Sequence, residues 1–290
     1  MILALGFAAW TLALVSCNAI LGIEDRSPRE REAGLDAASG ADVDAGGADG
    51  SEGDAGQAAR YRSVVLGDGP IVYLRLAEKE GETIARNEIA GGVQGTYPPS
   101  GVDLGVEGRF GDPSDTAVHF RGDRGIQMAD SERLTFGKTS PYSVEVWVRP
   151  AADNPIFGYL VDHESFDGAG KSGWTLIVGN QAVYFERWLN GVNRGAVSYD
   201  QPLAVGQWHH VVGTYDGTAE VLYVDGEEKS TTPTTAELGV DAGTGWSIGA
   251  QNCVCTMSDF IGDVDVVAIY EKALRTDQVK AHYDAGRPSP

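Results

Sequence analysis

Apolar and polar positions along the chain predict β-strands after residue 60, most clearly in residues 208–226. Two runs rich in valine, tyrosine and threonine are joined there at Asp216-Gly217, which supplies the positive φ angles of a tight hairpin turn. A second such pair, Asp225-Gly226, turns the chain again. Because Val211 and Val212 are adjacent, apolar side chains point to both faces of the first strand, and we expect both faces to be covered.

The cleanest alternation lies in residues 142–149, where three valines at alternate positions face one side of a strand. The other side carries polar and aromatic residues: Ser143, Glu145, Trp147 and Arg149. Further strands are predicted at 117–120, 159–163, 173–178 and 182–188, with turns rich in glycine or asparagine between them. Repeated short strands with almost no helical periodicity predict an all-β sandwich of two antiparallel sheets.

The start of the chain differs from the rest. Met1 to Ser16 is almost wholly apolar, which is too short for a membrane span of about 20 residues but suits a secretory signal. The tetrapeptide Leu14-Val15-Ser16-Cys17 resembles the bacterial lipobox, which implies lipidation of Cys17, although no lysine or arginine precedes the apolar run. A segment of a buried helix is the alternative. Asn18, where an aspartate favours retention at the inner membrane, implies an outer-membrane lipoprotein in the bacterial cell envelope.

Residues 18–59 form a tract rich in glycine, alanine and aspartate that has too few large apolar side chains to offset the entropy of ordering. We therefore predict a disordered acidic linker. From residue 24 to residue 59 it carries ten acids against three arginines, a charge of −7 within a total of −20. The remaining −13 excludes nucleic acid as a partner, because that binding depends on lysine and arginine.

Three further stretches carry a resemblance to a known family. Trp208-His209-x-Val-x-x-Thr-Tyr-Asp-Gly followed by Leu-Tyr-Val-Asp-Gly is similar to the core hairpin of laminin-G-like domains of the concanavalin A-like lectin/glucanase superfamily. Residues 61–76 resemble the opening of such domains, with Leu74 in place of a tryptophan, and residues 260–279 resemble their last strand and terminal helix. The resemblance implies one jelly-roll domain over residues 60–286, with a short C-terminal helix and a tail at 287–290.

The superfamily includes glycoside hydrolases, so catalysis has to be considered. Retaining enzymes place two carboxyl groups about 5.5 Å apart, and relatives carry them on one strand as Glu-x-Asp-x-x-Glu or Glu-x-Asp-x-Glu. Glu145 stands alone on its strand, and Val267 occupies the position two residues after Asp265. His209 and His210 are adjacent, so they point to opposite faces and cannot serve one metal site. We predict that the protein is not an enzyme.

A binding surface is the better interpretation of the polar and aromatic stripe. A sugar stacks its ring on an aromatic side chain while its hydroxyls bond to polar groups. The alternative is that these tryptophans pack beneath long loops. The predicted ligand-binding residues lie on two strands that we expect to be neighbours: Glu145, Trp147, Arg149, Tyr184, Arg187 and Trp188.

Calcium is the expected cofactor, because many laminin-G-like domains hold one ion near the sandwich edge and because carboxylates suit it. The acidic candidates are Asp123, Asp263 and Asp265, and Asp265 matches a position in the family pattern that can also be structural. Cys253 and Cys255 are expected to form a local disulfide in an exported protein, with a two-cysteine metal site as the alternative.

These observations predict an exported, lipid-anchored, non-catalytic module that recognises a glycan or a surface protein. Two alternatives stay open: an atypical glycoside hydrolase or lyase, and a structural component of the cell envelope.

Overall fold

A computed structural model describes residues 51–129, 132–137, 139–167, 169–238, 245–252 and 259–287. Cys17, Cys253, Cys255 and most of the predicted linker lie outside these ranges. The two helices are α1 (Ser51–Gly67) and α2 (Thr276–Gly286), and a short 3-10 helix spans Glu132–Leu134. The strands are β1 (Val72–Leu74), β2 (Ile84–Ala85), β3 (Gly95–Thr96), β4 (Val102–Val106), β5 (Ala117–Arg121), β6 (Ile126–Met128), β7 (Tyr142–Pro150), β8 (Tyr159–Asp167), β9 (Gly170–Val178), β10 (Val183–Leu189), β11 (Val192–Tyr199), β12 (His209–Tyr215), β13 (Ala219–Val224), β14 (Glu227–Pro233), β15 (Trp246–Ile248) and β16 (Ile261–Tyr270).

The strands form two antiparallel sheets, as the alternation predicts. Sheet A has the order β14-β13-β12-β7-β16-β5-β4, with β1 paired to the far half of β16. Sheet B has the order β11-β10-β9-β8-β15-β6-β3-β2. Strands that are neighbours in each sheet are often distant in the sequence, as with β7 and β16. The two-sheet jelly roll with a short C-terminal helix is therefore confirmed.

The hairpin at residues 208–226 forms with the predicted turns. Val211 pairs with Val224 and Thr214 with Val221 across β12 and β13. Asp216 closes the turn, because its Oδ1 accepts hydrogen bonds from the backbone N–H groups of Thr218 and Ala219 at 2.7 and 2.8 Å. Gly217 has a φ of 97°, a left-handed conformation that glycine adopts without steric cost.

Both faces of sheet A are buried, which explains the adjacent valines of β12. Val211 belongs to the main core between the sheets, whereas Val212 belongs to a second core on the outer face of sheet A. The helices α1 and α2 cover this outer face and contribute apolar side chains to the second core: Tyr61, Val65, Val279 and Ala285. Neither helix, nor any other in the described ranges, is long and apolar enough to cross a membrane.

The helix α1 begins at Ser51, so the last nine residues of the predicted linker are helical. Tertiary contacts outweigh their weak apolar content. The Gln57 side chain is buried and donates to the Gly286 carbonyl at 2.9 Å, and Arg60 donates to the Ala285 carbonyl at 3.1 Å. These donors satisfy carbonyls at the C-terminus of α2, where a positive charge is also favoured by the helix dipole.

One buried carboxylate joins both helices to sheet A. Glu145 on β7 is fully buried, and it accepts four hydrogen bonds from four different elements. Its Oε1 binds the Tyr61 hydroxyl and His210 Nε2, both at 2.8 Å. Its Oε2 binds the Tyr270 hydroxyl at 2.7 Å and His282 Nδ1 at 2.9 Å. The buried charge is stable there because every lone-pair direction has a donor.

The ionisation of this cluster follows from its partners. Burial alone would raise the pKa of Glu145, but the charge of His282 and the bonds from His210 and His282 hold that pKa well below its ordinary value. Burial likewise lowers the pKa of His282, and Glu145 and Asp68 more than reverse this, which raises it to about 9. His282 Nε2 lies 3.0 Å from Asp68 Oδ2, just beyond α1. We therefore assign an imidazolium to His282 at neutral pH.

This cluster predicts that the unfolding free energy decreases at both high and low pH. The His282 pKa rises from 6.5 to about 9 on folding, so its contribution to the unfolding free energy is complete below pH 6.5 and is lost as the pH rises toward 9. A shift of this size corresponds to about 3 kcal/mol. The contribution of Glu145 is present above pH 4.5 and is lost as the pH falls.

Replacing His282 by asparagine, which keeps a donor near the Nδ1 position, should lower the unfolding free energy most below pH 6.5. The difference from the native chain should shrink toward pH 9 because the lost charge no longer matters there. Urea unfolding of both chains across this range measures it. A difference that stays constant with pH would show that the charge of His282 contributes nothing.

Candidate functional site

The predicted ligand-binding residues of β7 are not on a solvent-facing platform. Glu145 and Trp147 point away from the main core, as the alternation predicts, but they are 0% and 1% exposed beneath the helices. The Trp147 ring lies between the Arg109 guanidinium, 4.5 Å from its centroid, and the stacked Tyr283 ring. Its role is therefore packing, which was the alternative interpretation of the sequence.

The remaining predicted residues are divided between the sheets, because β7 lies in sheet A and β10 in sheet B. Arg149 stays on the outer face of sheet A, with its guanidinium 4.9 Å from the Trp208 ring. Arg187 is fully buried between the sheets, 3.6 Å from Glu220 Oε1 and stacked 3.6 Å above the Tyr215 ring. The two strands were predicted to be neighbours, and that prediction is wrong.

The predicted metal ligands have separate partners. Asp263 accepts a bond from Arg149 Nε at 2.6 Å and contacts His119 Nδ1 at 2.7 Å. Asp265 is fully buried and accepts the Arg109 backbone N–H. Asp123 is exposed in the loop after β5. Within the described ranges, no group of three or more histidine, cysteine, aspartate or glutamate side chains is arranged to hold a metal ion. Calcium stays a prediction.

Neither α1 nor α2 covers the outer face of sheet B, and functional groups from three of its strands meet there. Asp162 on β8, Thr175 on β9 and Glu186 on β10 lie side by side across the strands. The next row contains Glu164, Gly173 and Trp188. We call the group of outward side chains on these strands the outer B face: Asp162, Glu164, Lys171, Thr175, Tyr184, Glu186 and Trp188.

One lysine contacts the partly exposed side chains of the outer B face and holds them together. Lys171 Nζ lies 3.0 Å from Glu164 Oε1, 3.8 Å from Glu186 Oε2 and 4.0 Å from the centroid of the Trp188 ring. The indole Nε1 of Trp188 donates to Glu186 Oε2 at 2.9 Å. Trp188 is thus fixed at its edge and on one face, which orients the ring before any ligand arrives.

Two carboxyl groups form the floor of this face. Asp162 and Glu164 are fully buried. Burial first, and then the charge of Glu164, raise the pKa of Asp162 well above its usual range, and burial raises that of Glu164 against the effect of Lys171. Asp162 Oδ2 accepts the Asn252 backbone N–H at 2.6 Å, whereas Oδ1 has no hydrogen-bond partner among the described residues. Of the two carboxyls, Asp162 therefore has the stronger preference for its protonated form.

Aromatic and apolar side chains flank the outer B face at both ends. Phe157, in the loop between β7 and β8, is 45% exposed and its ring lies 5.7 Å from that of Tyr184. At the opposite ends of the strands, Phe166 and Val192 are 46% and 51% exposed. Tyr184 and Trp188 are partly exposed between these ends. The face therefore offers flat apolar surfaces beside hydrogen-bonding groups.

Tyr184 and Trp188 were predicted from the sequence, but the four charged residues of this face were not. A usable signal was present, because Asp162 and Glu164 are two positions apart at the end of a predicted strand and therefore share a side. The pairing of Lys171 with Glu186 had no such signal. It depends on the register between β9 and β10.

Comparison with solved structures finds the same fold in binding domains of other proteins, for example the following two. The binding domain of botulinum neurotoxin serotype G superimposes with a TM-score of 0.56 at 14% identity, covering 74% of this chain and 50% of that one. The binding domain of Paraclostridial Mosquitocidal Protein 1 gives a TM-score of 0.57 at 16% identity, with 75% and 52% covered. This chain spans about half the length of either structure. No curated protein sequence matches it.

The sequence also matches a family. A laminin G model described as the concanavalin A-like lectin/glucanases superfamily aligns with residues 120–280, from the middle of β5 into α2. The aligned part is more than half of the 290 residues and includes all the strands that carry the outer B face. The resemblance seen in the core hairpin is thereby confirmed, and the chain belongs to the concanavalin A-like lectin/glucanases superfamily.

Proposed function

We propose that the protein is a non-catalytic carbohydrate-binding module whose ligand lies on the outer B face. The observation that carries the proposal is the position of Trp188, an indole held by Lys171 and Glu186 and partly open to solvent. Tyr184 is on the same strand and the same face, four residues away. Aromatic rings flanked by carboxylates offer what a sugar requires, a flat apolar surface with hydrogen-bonding groups at its edge.

The rigidity of this arrangement supports a binding role. A side chain that is already held in one orientation loses little conformational entropy when a ligand stacks on it. Trp188 meets this condition, because both its ring nitrogen and one ring face are engaged within the protein. The two solved structures compared above are described as binding domains, which is consistent with the proposal.

Replacing Trp188 by alanine should raise the dissociation constant for the bound glycan at least about tenfold, as expected when a central aromatic contact is removed. The ligand is first identified with the full chain on a glycan array, and titration calorimetry then compares the variants. Trp208→Ala is the matched control, because Trp208 is a partly buried tryptophan on sheet A. Equal loss in both variants, or no loss in Trp188→Ala, would contradict the proposed platform.

A glycoside hydrolase is the second candidate, because Asp162 and Glu164 are paired acids on one strand and one face. Retaining hydrolysis needs two carboxyl groups about 5.5 Å apart with the glycosidic bond between them. Both of these side chains are fully buried, and Asp162 is bonded to the Asn252 backbone. Burial keeps them from a substrate, which favours binding over hydrolysis.

We therefore expect no release of reducing ends from a polysaccharide that the protein retains. An assay over a polysaccharide panel, with Glu164→Gln in parallel, tests this expectation. Release by the native chain that is abolished in Glu164→Gln would establish the hydrolase instead. Release that is equal in both chains would point to a contaminating enzyme.

We further propose that the module is exported and held at the bacterial envelope by a lipid on Cys17, followed by the acidic linker. The apolar residues that precede Cys17 support this proposal. A Cys17→Ser variant should move from the membrane fraction to the soluble fraction and lose incorporation of labelled fatty acid. Cys253→Ser is the control, and unchanged labelling of Cys17→Ser would refute the anchor.

A further inference from the structure

The protein places one of its own primary amines in the middle of the outer B face. Lys171 Nζ is within ion-pair distance of two carboxylates, Glu164 and Glu186, and lies 4.0 Å from the centroid of the Trp188 ring. The Lys171 side chain is 17% exposed and that of Glu186 18% exposed, so solvent reaches this arrangement. The geometry shows which chemistry this surface stabilises: an ammonium group beside carboxylates and against an aromatic ring.

The charges on the outer B face do not balance. Glu164 and Glu186 stand against Lys171 alone, and its single ammonium is shared between both carboxylates. A carboxylate on a ligand would meet excess negative charge here, whereas an ammonium would meet acceptors.

We infer that the ligand is a glycan with free primary amino groups, of the glucosamine type. The inference rests on the proposed carbohydrate-binding function and adds the class of sugar. The ring of such a residue stacks against Trp188 or Tyr184, and its ammonium binds Glu186, the carboxylate of this face that solvent reaches. An acetylated amine lacks the charge, and a uronic acid carries the opposite one.

A cationic peptide could supply the same ammonium group. The sugar is favoured because Tyr184 and Trp188 present ring surfaces along one strand, whereas a lysine side chain needs only carboxylates. A peptide ligand is therefore one of the outcomes that the experiment must separate.

The test measures binding of the full chain to oligomers of equal length, at a pH where the amines are charged. The probes are a glucosamine oligomer, its fully acetylated form, a uronic acid oligomer and a trilysine peptide. We expect the glucosamine oligomer to bind about tenfold more tightly than the acetylated form, as for a charge-assisted contact. The uronic acid oligomer should not bind.

Two variants identify the groups involved. Glu186→Gln keeps an acceptor for the Trp188 nitrogen and removes the charge, so it should abolish the preference for the free amine while acetylated oligomers still bind. Glu227→Gln is the matched control, because Glu227 pairs with Lys229 at 2.7 Å on sheet A. Circular dichroism verifies that each variant is folded.

Equal binding of the amine and acetylated oligomers would overturn the inference and leave the carbohydrate-binding proposal standing. Tighter binding of the uronic acid oligomer would do the same. Trilysine binding as tight as that of the glucosamine oligomer would show recognition of charge alone and would also overturn it. Failure of every oligomer to bind would overturn the inference, and absence of binding to any glycan on the array of the full chain would overturn the proposed function as well.

Discussion

The four hydrogen bonds to the buried Glu145 carboxylate determine how the two helices are held against sheet A. They come from α1, β12, β16 and α2, so one charge ties both termini of the domain to the centre of sheet A. A buried carboxylate without such partners would cost several kcal/mol. The positions of the helices are therefore coupled to the need to pair this buried charge. The second hydrophobic core beneath the helices depends on those positions.

This coupling divides the two sheets by role. The helices cover the outer face of sheet A, which buries Trp147 and removes it from recognition. Sheet B has no such cover from either helix, and the partly exposed Tyr184 and Trp188 lie there. Acidic residues at outward strand positions consequently differ in their ionisation between the two sheets. Glu145 is ionised among histidine and tyrosine donors, whereas burial and the charge of Glu164 raise the pKa of Asp162 and so favour its protonated form.

The ionisation of groups buried between the two sheets likewise depends on their surroundings. Arg187 lies between the outward residues Glu186 and Trp188 on β10, so it points inward and pairs with Glu220 across the sandwich. Burial raises the pKa of Glu220 to about 8, and Arg187 only partly opposes this. An arginine in a strand is normally assigned to the solvent side, and only the partner from the other sheet makes this position acceptable.

The sequence by itself determined the local structure. Alternation fixed which residues of β7 share a side, Asp-Gly pairs fixed the turns of the β12–β13 hairpin, and family-like stretches indicated the jelly roll. These are interactions between residues close in the chain, so their signal is written in neighbouring positions. Two of the seven residues of the outer B face followed as well, because Tyr184 and Trp188 were predicted to be outward residues of one strand.

Only the tertiary structure decided which side of each strand meets solvent and which strands are neighbours. Alternation shows which residues share a face of a strand, but it does not show which face another element covers. On sheet A the covering element includes α1, whose first nine residues were predicted to be linker. Register between β8, β9 and β10 then brought Glu164, Lys171 and Trp188 together. Such pairings are long-range in sequence, and they are selected by the packing of the whole sandwich rather than by any local pattern.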